Sequence, residues 1–197
     1  MKEFWNKRYT ENQWCYGQAP NLFFKNTLKQ LKPGKLLLAA EGEGRNAIYA
    51  ASLGWQVTCF DFSKIARERA LEWAKREGLK IDYKLCSYNE FQTDEKFDLI
   101  GVFYFHLESV QRKKFHKQIL DYLKPYGYLV MEVFNKGQIE KNSGGPPNLD
   151  MLYSKEDIQE DFLGLDLINC EELEVQINQG TLHQGAASIL QFFAQKF

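Results

Sequence analysis

The sequence has few of the residues that mark secreted, metal-binding or membrane-spanning proteins. It contains 4 cysteines and 3 histidines in 197 residues, and no two cysteines form a Cys-x-x-Cys pair. We therefore expect reduced thiols, no disulfide framework and no metal site. The polar and aromatic start MKEFWNKRYTENQW lacks the apolar run of a signal peptide or a membrane anchor. These absences predict a cytoplasmic protein with no membrane partner.

An excess of charge of one sign is also missing. Lysine and arginine number 25 against 26 aspartate and glutamate residues, which gives a formal net charge of −1. The chain therefore has no overall attraction for nucleic acid or for an anionic membrane. Hydrophobic residues make up 44% of the sequence and aromatic residues 15%. This composition and length predict one globular domain over residues 1–197, as a monomer or a homodimer.

One stretch, Lys35 to Ser63, organises the rest of the chain. Its sequence KLLLAAEGEGRNAIYAASLGWQVTCFDFS reads as a buried strand, a glycine turn, a helix and a second strand that ends at Asp61. Gly42 and Gly44 allow a sharp turn and a close approach of backbone to ligand. Gly-x-Gly-x-x-Ala with an acid nearly twenty residues on is typical of the nucleotide-cofactor unit of a doubly wound α/β sheet.

The charge of the turn bears on which cofactor it holds. Glu41 and Glu43 flank Gly42, so a dinucleotide pyrophosphate would meet two carboxylates, each costing roughly 1–4 kcal/mol at about 4 Å. Arg45 offsets part of that repulsion. S-adenosylmethionine carries a sulfonium and an ammonium group, which carboxylates favour. The turn therefore favours this methyl donor over NAD, and a purely structural glycine turn remains a further alternative.

These residues carry a family resemblance. AEGEGRNAIYAASLGWQVTCFDFS resembles the first two motifs of class I S-adenosylmethionine-dependent methyltransferases. The Glu-Gly-Glu-Gly-Arg-Asn turn is similar to that of bacterial relatives of the tellurite-resistance and thiopurine methyltransferases. The resemblance implies a seven-stranded, mostly parallel sheet in the order 3-2-1-4-5-7-6, with strand 7 antiparallel and helices on both faces. It also implies S-adenosyl-L-methionine as cofactor and S-adenosyl-L-homocysteine as product.

The same resemblance implies roles for the N-terminal segment and for individual donor contacts. WNKRY and YGQAPN match a segment that folds over the cofactor, so residues 1–33 are expected to form a helical lid on a core of residues 34–197. Trp5, Arg8, Tyr9, Tyr16 and Gly17 are the lid candidates. Relatives often carry an aspartate where Ser87 stands, which leaves Ser87 a doubtful adenine contact. The expected cofactor-binding residues are Tyr16, Gly17, Ala40, Glu41, Gly42, Gly44, Asn46, Asp61, Phe62, Ser87, Tyr88, Val102 and Phe103.

Two histidines are candidates for chemistry on the acceptor. His106 follows the predicted fourth strand, and ligands bind beyond the carboxyl ends of parallel strands. His183 lies in the predicted hairpin turn Asn178 to Gly185, which the resemblance brings to the same edge. Either histidine can serve as a general base, a substrate ligand or a structural residue. Arg8 is a third catalytic candidate, since an acceptor that arrives ionised needs positive charge more than a base.

The helices of the chain show more ordinary patterns. Asn21 is expected to cap a helix that extends to Leu31 and buries Leu22, Phe23 and Leu28. Ser63 is expected to cap a helix that extends to Glu77. Ser109 is expected to cap a helix that extends to Leu123, and Ser154 is expected to cap a helix that extends to Phe162. The charged residues of these helices, including Arg69 and Arg112, are expected to face solvent, as is His116.

The acceptor is the least determined part of the sequence. No Asn-Pro-Pro-Tyr-type signature or basic arm is present, which argues against nucleic acid and favours a small-molecule or inorganic acceptor such as a thiol, selenite or tellurite. Three short segments match the tellurite-resistance-like branch: HL at residues 106–107, GGPPNLDMLYS at residues 144–154 and TLHQG at residues 181–185. Gln179 differs, since relatives commonly carry glutamate at this position. Two alternatives stay open: an NAD-dependent oxidoreductase and a non-catalytic S-adenosylmethionine-binding protein.

Overall fold

The computed structural model describes residues 2–197 and contains a seven-stranded sheet in the order β3-β2-β1-β4-β5-β7-β6. Strands β1 to β5 pair in parallel, and β7 runs antiparallel to both β5 and β6. The doubly wound fold and the expected strand order are therefore confirmed. The strands are β1 (Lys35–Ala39), β2 (Gln56–Asp61), β3 (Asp82–Leu85), β4 (Phe97–Phe103), β5 (Leu123–Phe134), β6 (Leu165–Gln179) and β7 (His183–Lys196).

Six α-helices surround the sheet within residues 2–197. Asn21, Ser63 and Ser154 cap helices with their side chains as predicted, whereas Ser109 is the first residue of its helix and Glu108 precedes it without a side-chain bond. The helices are α1 (Lys2–Glu11), α2 (Leu22–Leu28), α3 (Arg45–Ser52), α4 (Lys64–Arg76), α5 (Ser109–Tyr122) and α6 (Lys155–Asp161). No helix among the described residues is long and apolar enough to cross a membrane.

Strand β1 is buried on both faces because its side chains alternate between two cores. Leu36 and Leu38 pack with residues of α2, α3 and α4, whereas Leu37 and Ala39 pack with residues of α5 and α6. All four side chains are at most 2% exposed. This uninterrupted apolar run is what a parallel strand between two helical layers requires. The central strand fixes the position of the glycine turn that follows it.

Several boundaries differ from the sequence-based expectation. Helix α2 ends at Leu28, three residues early, and Leu22 is 67% exposed while Phe24 is buried. Strand β5 begins at Leu123, the residue at which helix α5 was expected to end. Strands β6 and β7 extend so far that only residues 180–182 separate them. The polar residues that suggested a long turn continue the antiparallel ladder, because an edge strand accepts polar side chains toward solvent.

The expected solvent exposure of α5 is wrong at two positions. Arg112 is 2% exposed and His116 fully buried, and both bond to the same Oδ2 of Asp161 at 2.8 Å. Arg112 also lies 3.4 Å from a carboxylate oxygen of Asp157. Helix α6 covers this face of α5 and supplies the two carboxylates. Buried charges of this kind persist because each has a bonded partner.

Strand β6 is an edge strand. Only one of its two edges is hydrogen-bonded, to β7, and most of its side chains are exposed or half-buried. Asp166, Glu171 and Glu172 are among the exposed ones.

Candidate functional site

A cavity of about 460 Å³ lies at the carboxyl ends of the parallel strands. Ligand pockets of small-molecule enzymes have this size and this position in open α/β sheets. Ala40, just after β1, has φ 50° and Tyr104, just after β4, has φ 52°. A positive φ is unusual for residues with a side chain and is found where a fold directs backbone toward a site. Both strands therefore turn sharply at the cavity.

The glycine turn forms one wall of the cavity. Gly42 has φ +60°, and a Cβ there would lie 2.5 Å from the hydroxyl oxygen of Tyr9. The carbonyl oxygen of Gly42 accepts a 2.6 Å hydrogen bond from the hydroxyl of Tyr83. The turn is thus held from one side by α1 and from the other by β3. Only glycine fits at residue 42.

Asp61 lies at the end of β2 with 7% of its surface exposed. Its Oδ2 accepts a hydrogen bond from the amide of Gly42 at 3.2 Å, and its Oδ1 accepts one from the amide of Ser63 at 2.8 Å. Burial raises the pKa of Asp61 to about 6 despite these bonds. A carboxylate offers about four acceptor positions, so Asp61 can still receive two hydroxyl groups. This fits a ribose.

The two glutamates of the turn have different surroundings. Oε1 of Glu41 accepts a 2.7 Å hydrogen bond from the amide of Ala47 in α3, and burial raises the pKa of Glu41 to about 7. The Glu43 carboxylate instead accepts bonds from the amides of Trp14 and Cys15, at 2.9 and 3.0 Å, and from Arg69 at 2.7 Å. Glu43 is thus fully engaged by the protein.

Two expectations about charge are corrected by this arrangement. Arg69 does not belong to a solvated face of α4, because its side chain is 21% exposed and pairs with buried Glu43. Of the two carboxylates expected to repel a pyrophosphate, Glu43 is turned toward the N-terminal segment. Glu41 remains, with a pKa near neutrality. The charge of the turn therefore discriminates less between cofactors than the sequence suggested.

The N-terminal segment covers the cavity and is tied to its far side. Arg45, the first residue of α3, donates a hydrogen bond to the carbonyl oxygen of Tyr16 at 2.9 Å and another to Oε1 of Gln179 at 2.9 Å. Arg8 donates to the hydroxyl of Tyr16 at 3.0 Å and lies 4.4 Å from the ring centre of Phe4. Tyr16 therefore sits between two arginines at the cavity wall.

His106 reaches the cavity but both of its ring nitrogens have partners. Nδ1 donates to the carbonyl oxygen of Met151 at 3.0 Å, and Nε2 accepts from the amide of Phe134 at 3.4 Å. Burial lowers the pKa of His106 to about 4. The ring is therefore neutral and oriented by backbone on two sides. This arrangement favours a structural role in holding the loop at Met151 against β5.

His183 has a different environment. Its ring lies against those of Tyr16, Tyr104 and Phe134, with centroid distances of 4.5, 4.9 and 5.3 Å. Its buried Nδ1 has no hydrogen-bond partner among residues 2–197. Burial, together with Arg45, His106 and Arg8, lowers the pKa of His183 to about 3. His183 is therefore a neutral imidazole in the cavity wall, and its buried Nδ1 is an unsatisfied polar atom.

Most of the residues predicted for the site lie together. The cavity is lined, among the predicted residues, by Arg8, Tyr16, Gly17, Ala40, Glu41, Gly42, Asn46, Asp61, Phe62, Phe103, His106 and His183. Four predicted donor contacts lie outside its lining: Gly44, Ser87, Tyr88 and Val102. The Ser87 hydroxyl bonds to Asn89 and Glu90, and the Tyr88 ring packs on Phe105.

Sequence reasoning missed part of the lining. The residues it did not single out include Tyr104, Phe105, Phe134, Met151 and Leu182. Tyr104, Phe105 and Phe134 leave the carboxyl ends of β4 and β5, so the rule that predicted His106 would also have found them. Met151 lies in the long loop after β5, and Leu182 lies in the hairpin turn that the resemblance had placed at this edge without singling out this residue. Within residues 2–197 no three metal-ligating side chains form a cluster that could hold an ion.

Comparison with known proteins agrees with this geometry. Residues 37–127 match the family model described as "Methyltransferase domain". Ubiquinone biosynthesis O-methyltransferases from Rickettsia felis and Rickettsia typhi are 29% and 30% identical over 97 residues, which is 48% of this chain. The chain spans 39% of the length of these curated relatives.

Solved structures share the fold over the whole chain. TehB from Haemophilus influenzae superposes with a TM-score of 0.78 at 17% identity, covering 100% of this chain and 67% of TehB. The N-methyltransferase NodS from Bradyrhizobium japonicum, in complex with S-adenosyl-L-homocysteine, gives 0.69 at 17% identity, covering 97% and 96%. Residues 37–127 are therefore similar to a methyltransferase domain, and the chain shares the seven-stranded Rossmann-like fold of these solved structures.

Proposed function

We propose that this protein catalyses S-adenosylmethionine-dependent methyl transfer to a small-molecule acceptor. The observation that carries the proposal is the pairing of the glycine turn with buried Asp61 at the carboxyl edge of β1 and β2. The "Methyltransferase domain" match spans this turn and Asp61. An NAD-dependent oxidoreductase, the first alternative, has no comparable support.

The donor half of the cavity is formed by residues of the turn and of β2. We define it as Ala40, Glu41, Gly42, Asp61 and Phe62. When bound, S-adenosylmethionine supplies an activated methyl group on a sulfonium. Asp61 is proposed to accept the ribose hydroxyls, and Glu41 to place negative charge near the cationic donor. Donor contacts by Ser87, Tyr88, Gly44 and Val102 stay predictions, and the contact at Ser87 is proposed to be through its backbone, since its hydroxyl bonds to Asn89 and Glu90.

The acceptor half is aromatic and nearly neutral. We define it as Arg8, Tyr104, His106, Phe134 and His183. Both histidines are held uncharged by burial, and Arg45 is engaged by Tyr16 and Gln179. An inorganic oxyanion such as selenite or tellurite would contact one cation, Arg8, among apolar rings. These contacts would not offset the free energy that the oxyanion loses when it leaves water. We therefore favour a small organic thiol, whose sulfur and apolar body suit these walls.

The chain's own residues would act on the acceptor by position and charge. A histidine with a pKa of about 3 is a weak base, so His183 is proposed to orient the acceptor through its vacant nitrogen. Arg8 is proposed to stabilise the thiolate form, which attacks without further proton transfer. His106, with both nitrogens engaged, is proposed to fix the loop over this half.

The predicted domain organisation, location and oligomeric state have no direct test in the structure. Residues 1–33 are proposed to act as a lid and residues 34–197 as the core of one domain, with residue 1 outside the described part of the chain. Cytoplasmic location and a monomeric or homodimeric state stay predictions.

The proposal is tested by measuring S-adenosylhomocysteine release with thiols, phenols, selenite and tellurite as acceptors. We expect the highest turnover with an organic thiol. Isothermal titration with S-adenosylmethionine and NADH runs in parallel. Donor binding without turnover on any acceptor would favour the non-catalytic alternative, and binding of NADH alone would favour the oxidoreductase.

A further inference from the structure

Residues 14–16 of the N-terminal segment are held from two sides by the glycine turn. Glu43 binds the amides of Trp14 and Cys15, and Arg45 binds the carbonyl oxygen of Tyr16. Glu43 and Arg45 flank Gly44, so one short turn supplies both an anion for the N–H groups and a cation for the C=O group. The side chains thus bracket three consecutive residues over the cavity.

Arg45 extends this attachment to the tip of the β6–β7 hairpin. Its second bond reaches Gln179, 134 residues away in sequence, at the end of β6. Beside it the amide of Leu182 donates to the carbonyl oxygen of Cys15 at 3.2 Å. A Cβ on Gly180 would lie 2.4 Å from the amide nitrogen of Gly17, so the two backbones are in direct contact. The hairpin tip and the segment therefore close over the cavity together.

The two sides of this attachment differ in strength. The Glu43 carboxylate is 6% exposed and has two backbone amides and Arg69 as partners, so releasing it would leave a buried charge uncompensated. Arg45 is also buried, at 9% exposed, but its guanidinium bonds to two neutral oxygens, and such bonds are weaker than the ion pair between Glu43 and Arg69. Opening should therefore begin on the Arg45 side while Glu43 stays bound.

We propose that Arg45 and Gln179 form a releasable latch that closes residues 14–17 over the cavity, with Glu43 as the fixed attachment. The inference rests on the proposed function in one respect, that the cavity holds the methyl donor and its product. Entry and exit of these molecules then require the latch to open. Arg45 and Gln179 are positioning residues in this scheme, since they act through Tyr16 and the hairpin tip.

Amide hydrogen exchange of Tyr16 and Gly17 in the full chain, without ligand, tests the latch directly, because Glu43 keeps the amides of Trp14 and Cys15 bonded when the latch opens. A bond to a charged group contributes about 1.5–3 kcal/mol, so Arg45→Met should speed exchange of the Tyr16 and Gly17 amides by about tenfold or more. Gln179→Leu should speed it about threefold, because Arg45 keeps its bond to Tyr16. Gln179→Glu keeps an acceptor opposite Arg45 and should exchange no faster than the wild type.

A matched control separates the latch from general destabilisation. Gln118 is also half-buried and donates to the carbonyl oxygen of Phe91, far from the cavity lining. Gln118→Leu should leave exchange at Tyr16 and Gly17 unchanged. Unchanged exchange in both Arg45→Met and Gln179→Leu would overturn the latch, as would an acceleration spread evenly over all peptides of the chain.

Product dissociation provides the functional readout. S-adenosylhomocysteine should leave Arg45→Met about tenfold faster than the wild type, and the double variant Arg45→Met/Gln179→Leu should match Arg45→Met alone, since both act on one bond network. Additive rates would count against a shared latch. If the wild type binds no S-adenosylhomocysteine, the proposed function fails, and the exchange measurements still decide the latch.

Discussion

The donor half and the acceptor half of the cavity differ in how the chain assembles them. The donor half comes from one stretch between residues 40 and 62, and it presents backbone and two buried carboxylates. The acceptor half comes from α1, the ends of β4 and β5 and the start of β7, and it presents aromatic rings and neutral histidines. The first is proposed to bind the charged methyl donor through local geometry. The second depends on tertiary packing, which leaves it free to vary with the substrate.

The largest expected effect tests the donor half. Asp61→Ala removes the acceptor of two ribose hydroxyls, and bonds to a charged group contribute about 1.5–3 kcal/mol each, so S-adenosylhomocysteine affinity should fall about 100-fold. Isothermal titration measures it. Asp82→Ala is the control, since Asp82 is exposed on β3 and pairs with Lys84. Equal affinity in wild type and Asp61→Ala would remove Asp61 from the site.

The raised pKa of Asp61 predicts a pH effect in the same half. With a pKa of about 6, the carboxylate that accepts hydroxyls is mostly present at pH 7 and mostly protonated at pH 5. Product affinity should therefore fall about tenfold from pH 7 to pH 5. Titrations at both pH values measure it. Asp61→Asn should lose this part of the pH dependence, while Glu41, with a pKa of about 7, accounts for any remainder.

The stability of the free protein depends on pH in the opposite direction from the product affinity. Asp61 and Glu41 have higher pKa values in the folded state than in the unfolded chain, so the folded state binds protons more tightly. Their contribution to stability is present at about pH 4 and is lost as pH rises to about 7. Saturating product should weaken this trend, because product affinity rises with pH over the same range.

A smaller effect is expected in the acceptor half. His183→Phe keeps an aromatic ring but removes the vacant nitrogen, and a neutral hydrogen bond contributes about 0.5–1.5 kcal/mol. The kcat/KM for the acceptor should fall about fivefold with product affinity unchanged. Steady-state kinetics and titration measure the two quantities. His106→Phe should instead lower the thermal midpoint, because both nitrogens bond to backbone. A His183→Phe loss in product affinity equal to its loss in kcat/KM would contradict the division into halves.

The smallest effect concerns charge at the acceptor. Arg8 is partly exposed, and pairs of this kind contribute about 0.2–1 kcal/mol. Arg8→Met should raise the acceptor KM about two- to fivefold for thiols that ionise, and less for neutral phenols. A comparison of the two acceptor types measures this selectivity, and Lys7→Met, which removes an exposed pair with Glu11, is the control. Equal changes for both acceptors would argue against a thiolate beside Arg8.

The sequence predicted the strand, glycine turn, helix and second strand that form the donor half well, because their signals are local. An apolar run, two glycines, a capping serine at residue 63 and an acid at residue 61 lie within 29 residues, and each has one dominant structural meaning. The strand order came from the resemblance to a family. The capping asparagine at residue 21 was also correct, since a cap depends on neighbours three residues away.

The errors fall where a partner is distant. Helical periodicity placed Arg112, His116 and Arg69 on solvated faces, because charge on a helix usually faces water. Asp161, which binds both Arg112 and His116, is 45 residues beyond His116, and Glu43 is 26 residues before Arg69. No local pattern in the sequence indicates that these charges meet. For the same reason, the sequence does not indicate that the Glu43 carboxylate bonds to backbone amides of the N-terminal segment.

The acidic side chains of the edge strand β6 have a consequence for self-association. An exposed edge presents unpaired backbone groups that can add a strand from a second molecule. If two copies paired through β6, carboxylates such as Asp166, Glu171 and Glu172 would crowd along a shared seam without lysine or arginine neighbours on that strand. Repulsion along the seam protects the longest open edge of the sheet from aggregation.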